Sequence, residues 1–312
     1  MTKLLTIAIP TYNRAAKLDR QLAWLDQNLR GLEDACDVIV SDNASPDQTP
    51  DVCQRWHDRV TARGGSMRIN RMPANVGPLP NIARCIDMST SRFTWVIGDD
   101  DEIPDEKLAW LVARLEADPD LASVVMNFQG VGMTTYPRCF SFDEDRVGPG
   151  RDVIGECLRQ AYFGLAFMTA QVYRTEYAQA ALRAWPEGTA NYDYQIFVTA
   201  HTALQGRVLA TSHTHVKYVT GDNIYERDER VGLRLYADSL EVFVHLQRIG
   251  YPGALCRWLA RRHLWALKKR FARRALVNNP MLTLGTVGRA TRYLAQLCLA
   301  RPHAGAASGS LA

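Results

Sequence analysis

The first 128 residues alternate short apolar runs with stretches of helical period, and this alternation strongly restricts the architecture. Runs at 4–9, 37–40, 67–69, 93–97 and 123–128 read as buried strands. Between them, Leu18, Leu22 and Leu25 mark one helix, Val52 and Trp56 a second, and Ile82 and Ile86 a third. Leu108, Leu111 and Leu115 mark a fourth, with Pro104 suited to its first turn. Strands joined through helices pair in parallel, because each crossover returns the chain to the same edge of the sheet. The expectation is an α/β fold with a mostly parallel sheet flanked by helices.

Beyond Phe128 the pattern is broken by Gly130, Gly132, Pro137, Gly148, Pro149 and Gly150, and helix resumes near Arg151. Loops in this stretch are expected to shape a pocket. Extended runs at 168–173 and 208–219 flank helical stretches at 176–184 and 193–204. From Glu229 the pattern is helical to about Arg274, a further helix follows Pro280, and the small residues of 304–312 read as a frayed tail. The expected division is an α/β domain at 1–220, with halves at 1–128 and 129–220, then a helical extension at 221–303.

The seven cysteines include no C-x-x-C pair and no zinc spacing, which points to reduced thiols and a cytoplasmic setting. The run at 4–9 is too short for the apolar region of a signal peptide, and no stretch reaches the roughly 18 apolar residues of a spanning helix. The formal charge of +4 hides an asymmetry: Glu241 is the last acidic residue, and every later charged side chain is Arg or Lys. Arg257, Arg261, Arg262, Lys268, Lys269, Arg270, Arg273 and Arg274 are interspersed with Trp258, Leu259, Leu264, Trp265, Leu267 and Phe271. Such a basic extension is expected to meet an anionic membrane surface at the inner face of the cell membrane; a solvated helix face is the alternative. No nucleic-acid recognition motif is present, and no nucleic-acid partner is expected.

Ligands of open α/β sheets bind at the carboxyl ends of the parallel strands, so the residues that follow each strand carry the chemistry. The first strand delivers Thr11, Tyr12, Asn13 and Arg14, the second Asp42, Asn43 and Ser45, the third Asn75 and Gly77, and the fourth Asp99, Asp100 and Asp101. Three adjacent carboxylates repel one another unless a cation or a set of donors compensates. Hard oxygen ligands of this kind suit Mg²⁺ or Mn²⁺, held by one or two carboxylates together with substrate phosphates. An acidic turn with Asp101 capping the helix at Pro104 is the other reading. Together the strand ends fit a pyrimidine nucleoside diphosphate: Tyr12 to stack on the base, Asp42 to accept its N3–H, and the aspartates to hold a metal on the diphosphate.

The segments "TIAIPTYNR", "VIVSDNAS", "NVGPLPN" and "WVIGDDDEIPDEKL", in that order, resemble the donor half of family 2 glycosyltransferases over residues 4–128. The resemblance implies a GT-A fold, a nucleotide-sugar donor (UDP or dTDP favoured), Mg²⁺ or Mn²⁺, and inverting transfer to a glycan or lipid-linked acceptor in surface polysaccharide assembly. It carries Thr11 and Tyr12 to the base, Asp42 to base reading, and Asn75, Gly77 and Asn81 to a loop beside the nucleotide. Relatives often show Asp-Ser-Asp-Asp where this chain has three consecutive aspartates, so the register is open by one. Asp100 or Asp101 then falls on the metal, and Asp99 against the ribose. Asp193, in "NYDYQIF", matches the family's general base, although Tyr192 stands where many relatives have a second acidic residue; a helix N-cap is the alternative for Asp193.

A dehydrogenase would need G-x-G-x-x-G after the first strand, and a P-loop enzyme G-x-x-x-x-G-K-[ST]; the chain has neither. A nucleotidyltransferase remains the alternative enzyme, and a catalytically silent glycan- or lipid-binding relative the alternative outside enzymes.

Overall fold

The computed structural model of the chain describes residues 2–132, 135–186, 188–220, 228–267 and 278–299. It divides into two compact units, Met1–Asn223 and Ile224–Ala312. In the first, β1 (Leu5–Thr11), α1 (Ala15–Asn28), β2 (Cys36–Asp42), α2 (Thr49–Ala62), β3 (Met67–Arg71), α3 (Pro78–Asp87), β4 (Phe93–Val96), α4 (Lys107–Ala117) and β5 (Leu121–Gly132) follow the alternation of the sequence. Then come β6 (Arg146–Pro149), α5 (Gly150–Ala161), β7 (Gln171–Arg174), α6 (Thr175–Ala184), α7 (Tyr194–Ala203) and β8 (Arg207–Thr220).

The eight strands make one sheet in the order β3-β2-β1-β4-β7-β5-β8-β6. Strands β1 to β4 are parallel to their neighbours in that set, and β8 is parallel to β5. Strand β7 enters antiparallel between β4 and β5, and β6 closes the far edge antiparallel to β8. The mostly parallel sheet flanked by helices is therefore present.

Side chains of a strand alternate between faces, and both faces of this sheet are covered, which is why its strands read as nearly continuous apolar runs. Leu5, Ile7 and Ile9 share one core with Val38, Val40, Phe93, Trp95 and Ile97, packed by Leu18, Leu22 and Leu25 of α1, Val52 and Trp56 of α2, and Leu108, Leu111 and Leu115 of α4. The alternate positions, among them Ala8, Ile39 and Val96, are equally buried and face the side where α3 packs against β1, β2 and α6. At the start of α5 the backbone of Gly150 abuts α7. A Cβ there would stand 2.7 Å from the Ala203 carbonyl carbon, closer than real contacts allow.

Three local readings of the sequence are corrected. Helix α4 begins at Lys107 and not at Pro104, because Glu102 is first tied to β8: Lys217 N–H donates to the Glu102 carbonyl at 3.0 Å. Residues Met168–Ala170 coil into a short 3₁₀ turn, and β7 starts only at Gln171, because Thr169 is drawn into hydrogen bonds with the loop after β4. The helix expected from Glu229 onward is interrupted. The second unit holds α8 (Glu229–Arg248), α9 (Gly253–Leu267) and α10 (Pro280–Leu299), and the break between α8 and α9 contains Gly250, at φ 109°, and Pro252. The continuation of helix to Arg274, with Lys268, Lys269, Arg270, Phe271, Arg273 and Arg274, lies outside the described residues, as does the expected tail at 304–312.

Candidate active site

The carboxyl ends of β1, β2 and β4 lie side by side, since these strands are parallel and adjacent. Hydrogen bonds lock them together. Thr11 Oγ1 donates to Asp99 Oδ2 at 2.7 Å, joining the end of β1 to the aspartates 88 residues later. From the next turn, Arg14 Nη1 donates to Asp99 Oδ1 at 2.9 Å and to Asp100 Oδ2 at 2.8 Å, and Lys17 Nζ reaches the same Asp100 oxygen at 2.8 Å. Asn13 and Ala44 hold left-handed backbone conformations, φ 55° and 62°, and Asn13 N–H donates to Ser45 Oγ at 2.8 Å. The loops after β1 and β2 are thus pinned to one another. Tyr12 is exposed beside them.

The three aspartates occupy different environments. Asp99 is 5% exposed, and burial raises its carboxyl above the ordinary range against the pull of Arg14 and Thr11. Asp100 is the more open and is bridged by the two cations. Asp101 turns back over Gly98 and accepts a hydrogen bond from Thr169 Oγ1. Burial pushes the Asp101 carboxyl up to about 7; Thr169 opposes the shift, and Asp100 and Asp99 add to it. Gly98 leaves room for this fold-back, since a Cβ on it would stand 3.0 Å from Asp101 Cγ and push that side chain aside. Thr169 serves the loop twice, as Gly98 N–H donates to its hydroxyl at 2.9 Å, while its carbonyl accepts from Trp95 Nε1 at 2.8 Å. Asp101 is not the cap of α4, which has Glu106 at that position.

The residues present fit a hard divalent cation of limited protein coordination. Among the described residues no three His, Cys, Asp or Glu side chains converge as a complete cage. Mg²⁺ and Mn²⁺ of nucleotide enzymes use one or two carboxylates and complete their shell with phosphates and water. Asp100 and Asp101 would supply that pair, and a cation there would relieve the buried Asp101 carboxylate.

Each carboxylate oxygen of Asp42 accepts one hydrogen bond within the protein. Its Oδ1 accepts from Ser45 N–H at 3.0 Å and its Oδ2 from Arg71 Nη1 at 2.9 Å, while Arg71 Nη2 holds the Ser45 carbonyl at 3.0 Å. Asn43 Oδ1 accepts from Val76 N–H at 3.0 Å, and its amide donates to Asn75 Oδ1 at 2.9 Å and to the Gly77 carbonyl at 3.0 Å. Asn75 and Gly77 are thereby held beside the end of β2, and Gly77, at φ 88°, turns the chain into α3. Asn81, in α3, is 2% exposed, accepts from Ser41 Oγ at 2.6 Å and donates to the Ser41 carbonyl at 2.9 Å. It fastens α3 to β2. Replacing Asn81 with Leu should cost about 2 kcal/mol, as loss of buried hydrogen bonds does. The check is the urea midpoint; a drop in nucleotide affinity with an unmoved midpoint would show a direct contact instead.

Asp193 stands immediately before α7, 8% exposed, and its side chain makes no capping hydrogen bond. The hydroxyl of the next residue, Tyr194, donates to the Leu79 carbonyl in the first turn of α3 at 3.2 Å. His215 is structural: its ring stacks on Trp110 at 4.0 Å, and burial lowers it to about 4.

Arg71, Lys17 and Thr169 are absent from the sequence-derived site. Arg71 was accessible through register, because a parallel β2–β3 pair sets it opposite Asp42. Lys17 and Arg14 also carried a signal. Cations at a helix N-terminus oppose the macrodipole, and α1 has no acid in its first turn to compensate them. Thr169 carried none.

Solved structures of known proteins share the fold. TarS of S. aureus, solved in complex with UDP-GlcNAc, matches with a TM-score of 0.68 over 93% of this chain and 81% of that one, at 16% identity. A mannosyltransferase from Pyrobaculum calidifontis, solved with GDP-Man and Mn²⁺, gives a TM-score of 0.55 over 96% and 86%, at 18% identity. These are likenesses of fold. In sequence, the abequosyltransferase of Salmonella typhimurium (strain LT2) is 27% identical over 118 residues, 38% of this chain and 34% of that protein. A validoxylamine A glucosyltransferase of Streptomyces hygroscopicus subsp. jinggangensis is 51% identical over 57 residues, 18% of this chain and 13% of its own length. The matched part thus spans about a third or less of these relatives. The family model described as glycosyl transferase family 2 matches residues 6–163, about half the chain and every strand end from Thr11 to Asp101, and this chain, with its GT-A-like sheet, belongs to that family.

Proposed function

We propose that the protein transfers a sugar, with inversion, from a uridine or thymidine diphosphate sugar to a glycan or lipid-linked acceptor on the cytoplasmic side of a membrane. The observation that carries this reading is the Thr11–Asp99 hydrogen bond with its flanking Arg14 and Lys17, because it sets a base-side loop, two cations and three carboxylates along one sheet edge. Tyr12 offers an exposed ring for the base, and Asp42 with Arg71 offers an acceptor and a donor for its imide edge. Asn75 and Gly77 border the nucleotide, and Asp99 lies on the ribose side. When bound through Asp100 and Asp101, Mg²⁺ or Mn²⁺ supplies charge neutralisation for the departing diphosphate. Arg14 and Lys17 add positive charge on the same side. Asp193 takes the proton of the acceptor hydroxyl as its oxygen attacks the anomeric carbon; the bond to the diphosphate oxygen breaks and the nucleoside diphosphate leaves.

Thermal melting with nucleoside diphosphates tests the donor assignment. At a hundredfold excess over Kd, UDP or dTDP with Mn²⁺ should raise the melting temperature by roughly 5 °C, with GDP and ADP giving much less. Equal shifts from purine and pyrimidine nucleotides would remove the base-reading role of Asp42.

A further inference from the structure

At the end of the sheet opposite Thr11, Asp42 and Asp99, the first unit carries a groove of about 660 Å³. Sheet register builds its wall. Phe93 opens β4 and pairs with Arg174 of β7; Leu121 opens β5 and pairs with Arg207 of β8, which pairs in turn with Pro149 of β6. Strands β4, β5 and β8 run the same way, so their amino ends meet here and the carboxyl end of β4, with its aspartates, lies at the far edge. Four arginines line the groove: Arg92 just before β4, Arg174 at the end of β7, Arg207 at the start of β8, and Arg151 in the first turn of α5. Gly150 N–H donates to the Gly206 carbonyl at 3.0 Å, which sets that first turn on the rim.

These arginines are held in place and only partly neutralised. Arg92 and Arg174 both donate to the Pro119 carbonyl, between α4 and β5, and Arg174 Nε also donates to the Leu121 carbonyl at 3.2 Å. Both guanidinium groups lie over the Phe93 ring, 5.7 and 5.3 Å from its centroid. Neutral groups thus bring two cations within a few ångströms of each other, which costs free energy unless an anion joins them. Glu176 reaches Arg174 only at 4.0 Å, and Asp118 pairs with Arg207 at 2.9 Å. Among the described lining residues, Asp120 is the single carboxylate against the four arginines. Arg151 is exposed, and its guanidinium has no ion-pair or hydrogen-bond partner among the described residues. Guanidinium groups match phosphate oxygens with paired N–H donors, and a cleft lined by one sign of charge concentrates the other. The concave shape and small-ligand volume favour a compact phosphate compound over an acidic protein segment.

We propose that the groove between Arg92, Arg151, Arg174 and Arg207 is a second anion site, which takes a ligand carrying two linked phosphates: Arg92 and Arg174 meet one phosphate, and Arg151 and Arg207 the next. It shares no residue with the proposed donor site and stands independently of it.

The test is isothermal titration of the full chain with pyrophosphate and with orthophosphate, in EDTA so that no metal-bound diphosphate contributes. Pyrophosphate should bind about tenfold more tightly than orthophosphate, and added salt should weaken both. Arg151→Gln with Arg207→Gln, at two exposed positions, should lower pyrophosphate affinity about tenfold or more, as loss of hydrogen bonds to a charged group does. The melting temperature should stay close to that of the wild type, because the exposed Arg207–Asp118 pair contributes little, and UDP-induced stabilisation with Mn²⁺ should be unchanged. Arg92→Gln alone should weaken pyrophosphate binding in the same direction. Arg14→Gln with Lys17→Gln, which removes the cations beside Asp100, should leave one pyrophosphate site of wild-type affinity. Vesicles of phosphatidylcholine with phosphatidic acid separate the sources of the phosphate: co-sedimentation that the Arg151 and Arg207 variant loses places it on a lipid headgroup, and pyrophosphate binding without co-sedimentation places it on a soluble compound, the site standing in either case. A wild type that binds neither pyrophosphate nor these vesicles, groove variants of wild-type affinity, or loss of all pyrophosphate binding in the Arg14 and Lys17 variant overturns the proposal. So does a polyglutamate peptide that binds more tightly than pyrophosphate and is lost in the groove variant, which would assign the groove to an acidic protein segment.

Discussion

Replacing Asp100 and Asp101 together with Asn should reduce sugar transfer by about 10³-fold or more, because the interactions removed are worth several kcal/mol in metal-assisted group transfer. The protein should remain folded. In the wild type, burial raises Asp101 to about 7, against an ordinary value of 3.8, so the native state holds a proton there that the unfolded chain releases. That contribution to stability is fully present below the unfolded value, near pH 4, and is lost as pH rises through about 7. Asn at position 101 removes the loss, and the melting temperature of Asp101→Asn alone at pH 8 should equal or exceed that of the wild type, whereas Asp100→Asn also removes the ion pairs with Arg14 and Lys17 and offsets part of that gain in the double variant. The same titration predicts that Mn²⁺-dependent stabilisation by UDP weakens below pH 7, by up to about tenfold in affinity per unit, since a ligand carboxylate must be deprotonated. Full transfer in EDTA, or wild-type turnover by the double variant, would falsify the metal-dependent mechanism.

The donor half was legible because its strands are buried on both faces and its helices on one. A sheet covered twice produces unbroken runs such as those at β1 and β2, and these stand out from the spaced leucines of α1 and α4. The clustering of Thr11, Asp42, Asn75, Gly77 and Asp99 to Asp101 at one edge follows from parallel pairing alone, without knowledge of any side-chain contact. The break between α8 and α9 was also written in the chain: a glycine followed two residues later by a proline ends helices, and apolar period on both sides masked it.

What the sequence withheld are the contacts between distant segments. Thr169 fixes Gly98 and Asp101 from 71 and 68 residues away, and no local pattern distinguishes it from any threonine before a strand. The late start of α4 depends on the pairing of Glu102 with Lys217, 115 residues apart. Asn81 is a further case. An asparagine near a nucleotide motif invites a ligand role, and the structure adds a second one the sequence does not show, since from α3 its amide is bonded to Ser41 of β2.

Asp193→Asn should lower transfer by about 10² to 10⁴, the range that general base catalysis contributes, with nucleoside diphosphate affinity close to normal. Two roles compete for this side chain, and they separate under this substitution. A helix N-cap accepts a hydrogen bond from the backbone one turn in, and Asn fills that role nearly as well as Asp, so a capping Asp193 would lose little stability and no activity. In the structure the Asp193 side chain makes no such cap bond, although it precedes α7, and its backbone N–H is instead held by Asn191 Oδ1 at 2.8 Å. Asn191 and the Tyr194–Leu79 hydrogen bond both help to fix the start of α7, and the Asp193 carboxyl does not cap it. Asn is isosteric but has far lower basicity, so the loss falls on proton removal from the acceptor and not on donor binding. The measurement is release of nucleoside diphosphate from the donor sugar, to water and to a panel of sugar and lipid-linked acceptors, beside a thermal-shift titration with UDP and Mn²⁺. Unchanged release at unchanged UDP affinity would place the base on another residue. Weakened UDP binding with turnover otherwise intact would make Asp193 a positioning residue for the loop of Asn75 and Gly77, which its neighbour Tyr194 already borders through Leu79.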